Sequence, residues 1–345
     1  MKGISRVRFT KHTCKEVIMT KKLKIAIPPI RCYQHYAFPV SIINSNIQQK
    51  EYLYSLFIKL VYRRNRDTDI EFDTPRFFSH IPTFFAEKGL IIPSVTKYHL
   101  NADDKESMIS FVKQLINNGI YVSGMWNENY IPGKDAYNKY NYKRNYLIYG
   151  YNEEKRCLIS AGYLGKNFWS NEFNVDYCDF AASLYEREKT ICFFTYIYND
   201  AFNSTLDLKE IKKDVMDYLN STILIKNQKE CSFGLNANKD FFENLQRKVE
   251  KKGDLTFPPL YALYEHKNFM LERLAFLKKL DAIKISEKDM RLYKEVVDVY
   301  RAILYMGVKY KMTREKESIK KISKMGHETI EIEQDILGNT FSNMV

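Results

Sequence analysis

The amino-acid sequence changes character near residue 200, and this change limits the folds open to the chain. Before that point, strand-length apolar segments follow one another: IYVSGMW (120–126), YLIYGY (146–151), RCLISAGYL (156–164) and TICFFTYIY (190–198). One helical segment, VDYCDFAASLYEREK (175–189), separates the last two. Because strands and helices are grouped along the chain rather than alternating, this order favours an α+β fold over a doubly wound sheet. We predict one antiparallel sheet over about 120–200, packed on an early helix.

Shorter patterns precede the predicted sheet. LKIAIPP (23–29) is typical of a short strand that stops at two prolines, and Pro39 suits the first turn of a short helix. QQKEYLYSLFIKLVYRR (48–64) predicts a helix, because its apolar residues recur at helical spacing from Tyr54 through Phe57 and Ile58 to Val61. SMISFVKQLINNG (107–119) predicts another helix behind a possible capping box at 103–106.

After residue 200 the pattern becomes helical. Asp207 and Ser286 are candidate helix caps, and Pro258 opens a third helical segment. A fourth follows Thr313 and runs to Gly338. We therefore expect an all-helical C-terminal region, built as a bundle of three or four helices. The predicted divisions are a basic N-terminal arm (1–24), a sheet-containing domain (25–200) and a helical domain (201–345).

The composition is that of a soluble globular protein, with 45% apolar and 28% charged residues. No run of about 18 apolar residues is present, and no continuous apolar stretch follows the basic residues at the start, so we expect neither a membrane span nor a secretory signal. We therefore expect a cytoplasmic protein. The formal net charge of +12 favours polyanionic or acidic partners, although a basic surface also serves solubility alone. No zinc finger, RNA-recognition signature or helix-turn-helix is evident, so nucleic-acid binding is a third-ranked hypothesis.

Several classes of site are absent from the sequence. The six cysteines form no CxxC pair, and we expect neither a metal site nor disulfides. Phosphate loops, dinucleotide glycine fingerprints, HExxH and GxSxG are also missing, so we expect no cofactor. The two tryptophans, Trp126 and Trp169, are expected in the core or in the wall of a cleft.

One candidate site is Cys32-Tyr33-Gln34-His35. A thiol near the start of a helix can be activated by the helix dipole and by a nearby imidazole, which makes Cys32 a candidate nucleophile and His35 a candidate base. Such a spacing also arises by chance. A structural or incidental role for both residues therefore stands beside the catalytic one.

The second candidate lies between Gly119 and Gly162, where MWNENY, RNYLIYGYN and CLISAG follow one another. This order resembles the papain-like peptidases that process bacteriocin leaders. It is most similar to the butirosin-type carrier-protein acyltransferases and to the cysteine-peptidase-like proteins encoded beside nonribosomal peptide synthetases. The resemblance covers roughly residues 25–200 and implies a papain-like fold with a nucleophile at the start of the first core helix. Cys32 lies near that place, and Ala37 is an alternative equivalent.

The sequence departs from that family at its catalytic positions. Counted back from Gly150, the place of the family's histidine holds Arg144, with Asn145 beside it. The place of the orienting aspartate falls on Ser160 or Ala161. None of these side chains can act as an imidazole base or as its carboxylate partner. The resemblance therefore implies the fold with a degenerate triad, in which His35 or the substrate amine would replace the missing base. His80, His99 and His266 are further imidazoles elsewhere in the sequence, although their spacing does not suggest this role.

The leading functional hypothesis follows from this resemblance. It implies a protein of bacterial peptide-antibiotic biosynthesis that takes an acyl or peptidyl thioester from an acidic carrier protein, through its phosphopantetheine arm, for acyl transfer or amide formation. Asn127, Arg144 and Asn145 are the candidate ligand-binding residues, beside a basic, Tyr-rich loop (137–146) that is otherwise a solvated connection. The alternative is a catalytically inactive binding or scaffold protein. We expect generic peptides to be cleaved weakly or not at all.

Overall fold

The computed structural model describes residues 19–45, 51–63, 70–72, 77–78, 81–82, 89–99, 105–164, 168–184, 190–201, 206–223, 231–252 and 254–344. The strands, in chain order, are β1 Thr20–Lys22, β2 Leu60–Arg63, β3 Ile70–Phe72, β4 Phe77–Phe78, β5 Ile81–Pro82, β6 Ile91–His99, β7 Ile120–Asn127, β8 Lys143–Asn152, β9 Cys157–Leu164, β10 Phe168–Asp176, β11 Thr190–Tyr198 and β12 Cys231–Phe233. The α-helices are α1 Gln34–Ile43, α2 Lys105–Asn117, α3 Tyr177–Leu184, α4 Leu208–Leu219, α5 Gly234–Lys252, α6 Pro258–Lys279, α7 Glu287–Thr313 and α8 Lys316–Ser342.

A seven-stranded sheet forms the centre of the fold, in the order β10-β9-β8-β7-β11-β6, with β1 also paired to β8. All of its described pairs are antiparallel. Strand β7 pairs with the first half of β8, and β1 pairs with Gly150–Asn152 at the end of β8. Strands β7 and β1 therefore follow one another along β8. The predicted α+β class and the antiparallel sheet over 120–200 are confirmed. The first described residues of the predicted basic arm belong to this sheet, and residues 1–18 lie outside the described part.

The middle of the sheet is buried on both faces, which explains why β8 and β9 carry mostly apolar residues over 146–151 and 157–161. In β8, Leu147 and Tyr149 belong to one core cluster, while the alternate residues Tyr146 and Ile148 belong to another. The second cluster contains the apolar faces of α2 and α3. The first contains α1, a helix whose residues from Tyr36 to Ile43 are all buried. Helices therefore cover the sheet on both sides, and α1 is a central element.

The helical region begins at α4 and confirms several predicted boundaries. Asp207 caps α4 by accepting from the amides of Lys209 and Glu210, both at 3.0 Å. Ser286 caps α7, and α6 begins at Pro258. Five helices lie in the described residues after position 200, rather than three or four, and the strand β12 shows that the region is not all-helical.

The last helix differs from its prediction at both ends. Thr313 is the final residue of α7, and α8 begins at Lys316 and runs past Gly338 to Ser342. The break falls here because Arg314 adopts a left-handed backbone conformation, with φ of 59°.

Two predictions near the N-terminus are wrong, and Pro39 lies at a different position in its helix from the one expected. Residues 23–29 form no strand, since the strand of this region is β1. Residues 51–55 form one 3₁₀ helix rather than part of a long α-helix, and the left-handed backbone of Phe57 (φ 60°) ends it. The following residues pair as β2 with β3 and β12. Pro39 lies in the interior of α1 and not in its first turn.

The sheet-containing and helical parts share one core. Strand β12 pairs with β2 across the position of the predicted domain boundary. The rings of Phe57 and Phe269 have centroids 6.3 Å apart, and those of Tyr62 and Phe241 are 6.1 Å apart. Helix α6 also contacts the segment that leads into α1, through hydrogen bonds from the backbone of Arg31 and Cys32 to Glu265, and the candidate site depends on this arrangement.

Candidate functional site

A cavity of about 660 Å³ opens where the start of α1 meets the sheet and the start of α6. Four predicted site residues line it together: Cys32, His35, Arg144 and Asn145. The remaining wall is largely aromatic and comes from β9, β10, β11 and α6, through Tyr163, Trp169, Phe194, Tyr196 and Tyr261. Trp169 is thus a wall residue, whereas Trp126 is fully buried in the core, as expected for the pair.

Cys32 lies just before the N-cap residue of α1, Tyr33, and is 8% exposed. The side-chain amide of Gln34 donates to the backbone carbonyl of Asn145 at 2.8 Å. This bond joins the start of α1 to β8, so the thiol and the side chains at 144 and 145 face the same space. The sequence order that suggested this pairing is therefore realised in the fold, while the catalytic role of each residue stays a prediction.

Glu265, in the second turn of α6, reaches the residues before α1. Its Oε2 atom accepts hydrogen bonds from the backbone N–H groups of Arg31 and Cys32, both at 2.8 Å. Its Oε1 atom lies 3.5 Å from Nε of Arg31. The Glu265 side chain is 4% exposed, so a carboxylate from the helical region forms part of the buried floor of the cavity.

The electrostatics of this pair oppose a free thiolate at rest. Burial, followed by the charge of Glu265 and a hydrogen bond with it, raises the pKa of the Cys32 thiol well above its usual value. Burial also raises the pKa of Glu265 to about 7, against the lowering effect of the Arg31 and Cys32 amides. The amides of Arg31 and Cys32 already donate to the carboxylate of Glu265. The start of α1 therefore does not bring the pKa of the Cys32 thiol below its usual value, as activation by the helix alone would require.

Arg144 is held in the wall as a cation. Its NH1 atom lies 3.5 Å from Oε1 of Glu128, and its guanidinium sits 5.0 Å from the centre of the Tyr142 ring. Burial alone would lower the pKa of Arg144, but the contacts with Tyr142 and Glu128 raise it. A guanidinium that stays protonated cannot act as a base, but it can hold a phosphate or carboxylate.

The other predicted residues have different surroundings. His35 lines the cavity, and its ring stacks on Tyr33 with centroids 5.4 Å apart. Asn127 is fully buried outside the cavity wall, where its Oδ1 atom accepts from the amides of Asn129 and Tyr142. This side chain therefore holds together the connection between β7 and β8.

The candidate substitutes for the family's histidine and aspartate do not form a second triad. Ser160 and Ala161 are fully buried in β9, opposite Ile148 and Leu147 of β8. His266 is buried, and its Nε2 atom is 2.8 Å from the carbonyl oxygen of Ile58, away from the cavity wall. His80 and the side chain of His99 lie outside the described residues.

Several buried polar atoms in the cavity wall have no hydrogen-bond partner among the described residues. They include Oε1 of Glu265, the hydroxyl of Tyr163 and Oδ1 of Asn145. Buried polar groups in native proteins are nearly always satisfied by protein, water or ligand. Their convergence on one cavity therefore indicates a site for a polar ligand group, set in an aromatic pocket.

Glu265 is the residue that the sequence did not reveal. It comes 233 positions after Cys32, and no spacing motif connects the two. The available signal was weak: PPLYALYEHKNFMLERL in α6 carries apolar residues on all sides, which is typical of a buried helix. Charged residues in such a helix need a partner or a function.

Comparison with known proteins leaves the family open. A scan against protein-family models found no match, and neither did a search of curated proteins. In the described part of the chain, no helix combines the length and apolar character needed to cross a bilayer. The same residues contain no cluster of three or more histidine, cysteine or acidic side chains placed to hold a metal ion.

Proposed function

We propose that the protein takes an acyl or peptidyl group from a thioester onto Cys32 and passes it to an amine or another acceptor. The observation that carries this proposal is the position of the Cys32 thiol in the wall of a ligand-sized cavity, at the start of a central helix and beside a carboxylate. The papain-like arrangement is part of the same proposal. It is supported by the early core helix, the antiparallel sheet and the meeting of Cys32 with Arg144 and Asn145.

A thioester suits this site better than an amide. The resting thiol is protonated, and the charge that acts on it comes from Glu265 and not from an imidazole of the kind that peptidases use to protonate an amine leaving group. A thiolate can leave with little protonation, so transfer from a thioester does not require a strong acid in the site. Peptide cleavage is therefore expected to be weak or absent.

The charge of the cavity suits an anionic donor. Arg31, Lys143 and Arg144 contribute three cationic side chains to its wall, and the whole chain carries a formal net charge of +12. Acidic carrier proteins with a phosphopantetheine arm combine a negative surface with a phosphate close to the thioester. We propose such a carrier as the partner, in bacterial peptide-antibiotic biosynthesis as the sequence resemblance implies.

The second candidate function is binding without chemistry. It is favoured by the raised pKa of the Cys32 thiol and by the guanidinium at the place of the family's imidazole. On this view the cavity holds a carrier-bound group and Cys32 only shapes its wall.

A turnover assay separates the two functions. The purified chain is incubated with an acyl-N-acetylcysteamine thioester and a primary amine, and the released thiol is measured. We expect turnover by the wild type and by Cys178→Ala, which removes an exposed cysteine in α3, but none by Cys32→Ala. Equal rates for Cys32→Ala and the wild type would reject the acyl-transfer function.

Arg144→Ala is expected to weaken binding of an S-acyl phosphopantetheine roughly 10- to 100-fold, because a charged hydrogen bond to phosphate contributes about 1.5–3 kcal/mol. Titration calorimetry on the Cys32→Ala background measures this affinity without turnover. Arg156→Ala is the matched control, since Arg156 is exposed and pairs with Glu106 instead. An unchanged affinity for Arg144→Ala would remove Arg144 from the binding site.

A further inference from the structure

We propose that Glu265, supplied by the helical region, is the catalytic proton carrier for Cys32. This inference rests on the proposed acyl transfer and names the group that takes the place of the missing imidazole. The catalytic unit is then a thiol–carboxylate pair contributed by two distant parts of the chain, the segment before α1 and the second turn of α6.

The geometry fixes Glu265 against the reacting thiol. Its Oε2 atom is anchored by the amides of Arg31 and Cys32, each at 2.8 Å, so the carboxylate cannot swing away without breaking two hydrogen bonds. The Cys32 thiol and this carboxylate line the same cavity, and the carboxylate charge acts on the thiol. The other oxygen, Oε1, is buried in the cavity wall, where it lies 3.5 Å from Nε of Arg31 and accepts no hydrogen bond from the described residues. Two amides therefore hold one oxygen, and the other, without a hydrogen bond, is the one placed to exchange a proton.

The groups that face Glu265 allow the pair to share one proton. They are Arg31 and Cys32 from the segment before α1, Tyr163 from β9 and Tyr261 from the preceding turn of α6. Burial raises the pKa of Glu265 to about 7, which places its titration where a general base and acid is most effective. Moving the proton from sulfur to carboxylate leaves the net charge of the pair unchanged, so the buried site never holds two negative charges.

The proposed reaction balances in two steps. Cys32 sulfur bonds to the carbonyl carbon of the donor R–CO–S–R′ while its proton passes to the Glu265 carboxylate. Negative charge develops on the carbonyl oxygen, for which the Tyr163 hydroxyl is a buried donor in the same cavity. The bond to the leaving sulfur then breaks, and R′–S⁻ takes the proton from Glu265 and departs as R′–SH. Acyl-Cys32 and an ionised Glu265 remain.

The second step reverses the roles. An amine acceptor bonds to the acyl carbon, and Glu265 accepts the proton that the nitrogen loses. The bond between the acyl carbon and Cys32 breaks, and the departing thiolate takes this proton back. The products are the amide and the original thiol–carboxylate pair. No oxidant, reductant or further co-reactant is needed.

The test compares two reactions of the same thiol in Glu265→Gln. Acyl transfer from an acyl-N-acetylcysteamine thioester needs proton exchange, and we expect its rate to fall about 100- to 10,000-fold. Alkylation by iodoacetamide needs only the thiolate. Its rate should stay equal or rise, because removal of the carboxylate charge lowers the pKa of the thiol. A loss of acyl transfer without any loss of alkylation is a result that a merely structural role would not produce.

Two further measurements keep the inference testable if Glu265→Gln does not fold. Glu265→Asp keeps a carboxylate and should recover part of the lost transfer rate. In the wild type, the transfer rate should rise as the pH passes through about 7, because the protonated carboxyl cannot accept a proton. Glu265→Gln should lack this rise.

The outcomes separate this inference from the function on which it rests. A wild type that transfers acyl groups while Glu265→Gln keeps within about threefold of its rate would overturn the inference alone. Parallel losses of transfer and alkylation would also overturn it, since they assign the carboxylate a structural role. A wild type without transfer would overturn the proposed function itself.

Discussion

Lys267→Met is expected to lower the free energy of unfolding by about 3–5 kcal/mol, because it leaves a buried carboxylate without its counter-charge. Lys267 and Glu333 join α6 to α8 with an N–O distance of 2.7 Å, and their side chains are 0% and 1% exposed. Glu333 also accepts from the hydroxyls of Tyr218 and Tyr293, at 3.0 and 2.8 Å. Urea denaturation followed by tryptophan fluorescence measures the loss.

The matched control is Lys213→Met, which removes an exposed lysine that pairs with the partly buried Asp217 one turn away in α4. Such a pair contributes only about 0.3–0.5 kcal/mol. Replacing both buried partners, as Lys267→Met with Glu333→Leu, should recover much of the stability, since no charge is then left unpaired. A loss below about 1 kcal/mol for Lys267→Met alone would contradict the buried pair.

Trp126→Ala is expected to destabilise the protein by about 3–5 kcal/mol, the usual range for truncating a large aromatic side chain in a core. Trp126 is fully buried between the sheet and α3, and its ring lies 4.8 Å from that of Tyr146 and 5.0 Å from that of Phe180. Its removal leaves a void enclosed on all sides. Thermal and chemical unfolding both report the change.

The chain offers a control in its other tryptophan. Trp169 lines the open cavity, so Trp169→Ala enlarges an existing space rather than creating a closed void. We expect a smaller loss of stability and a larger loss of ligand affinity than for Trp126→Ala. Equal destabilisation by the two substitutions would show that the division between core and cavity wall is misplaced.

The central sheet was predictable because burial on both faces leaves a strong mark in the sequence. Strand β8 places Leu147 toward α1 and Ile148 toward α2 and α3, so its buried stretch 146–151 carries apolar and aromatic residues on both faces. The caps of α4 and α7 were predictable for a different reason. Asp207 and Ser286 satisfy backbone N–H groups that lie next to them in the chain, and such local bonds need no tertiary information.

The segment 48–64 shows that apolar residues at helical spacing can predict a helix where the chain forms a strand. Its spacing from Tyr54 to Val61 fits a helix, but residues 60–63 gain more by pairing with two other strands and burying both faces. The left-handed backbone of Phe57 separates the 3₁₀ helix from β2, and the local sequence pattern does not predict this conformation. Distant strand partners therefore overrode the local preference.

The candidate site was predictable in part. Cys32 and Arg144 could be paired because the resemblance to papain-like proteins implies that the place of the family's histidine, here Arg144, faces the same cleft as the start of the first core helix. Glu265 could not be found in this way, since it reaches Cys32 only through the packing of α6 against the segment before α1. Because 233 positions separate Glu265 from Cys32, no local sequence pattern connects the carboxylate with the thiol.

The most direct test of acyl transfer at Cys32 is the mass of the protein after reaction with a thioester donor in the absence of an acceptor. The proposed mechanism stops at acyl-Cys32, so intact-mass spectrometry should show one added acyl group, and peptide mapping should place it on Cys32. Cys32→Ala should show no addition, and a later dose of amine should remove the group from the wild type. An unmodified wild type, or an acyl group carried by another residue, would contradict the account.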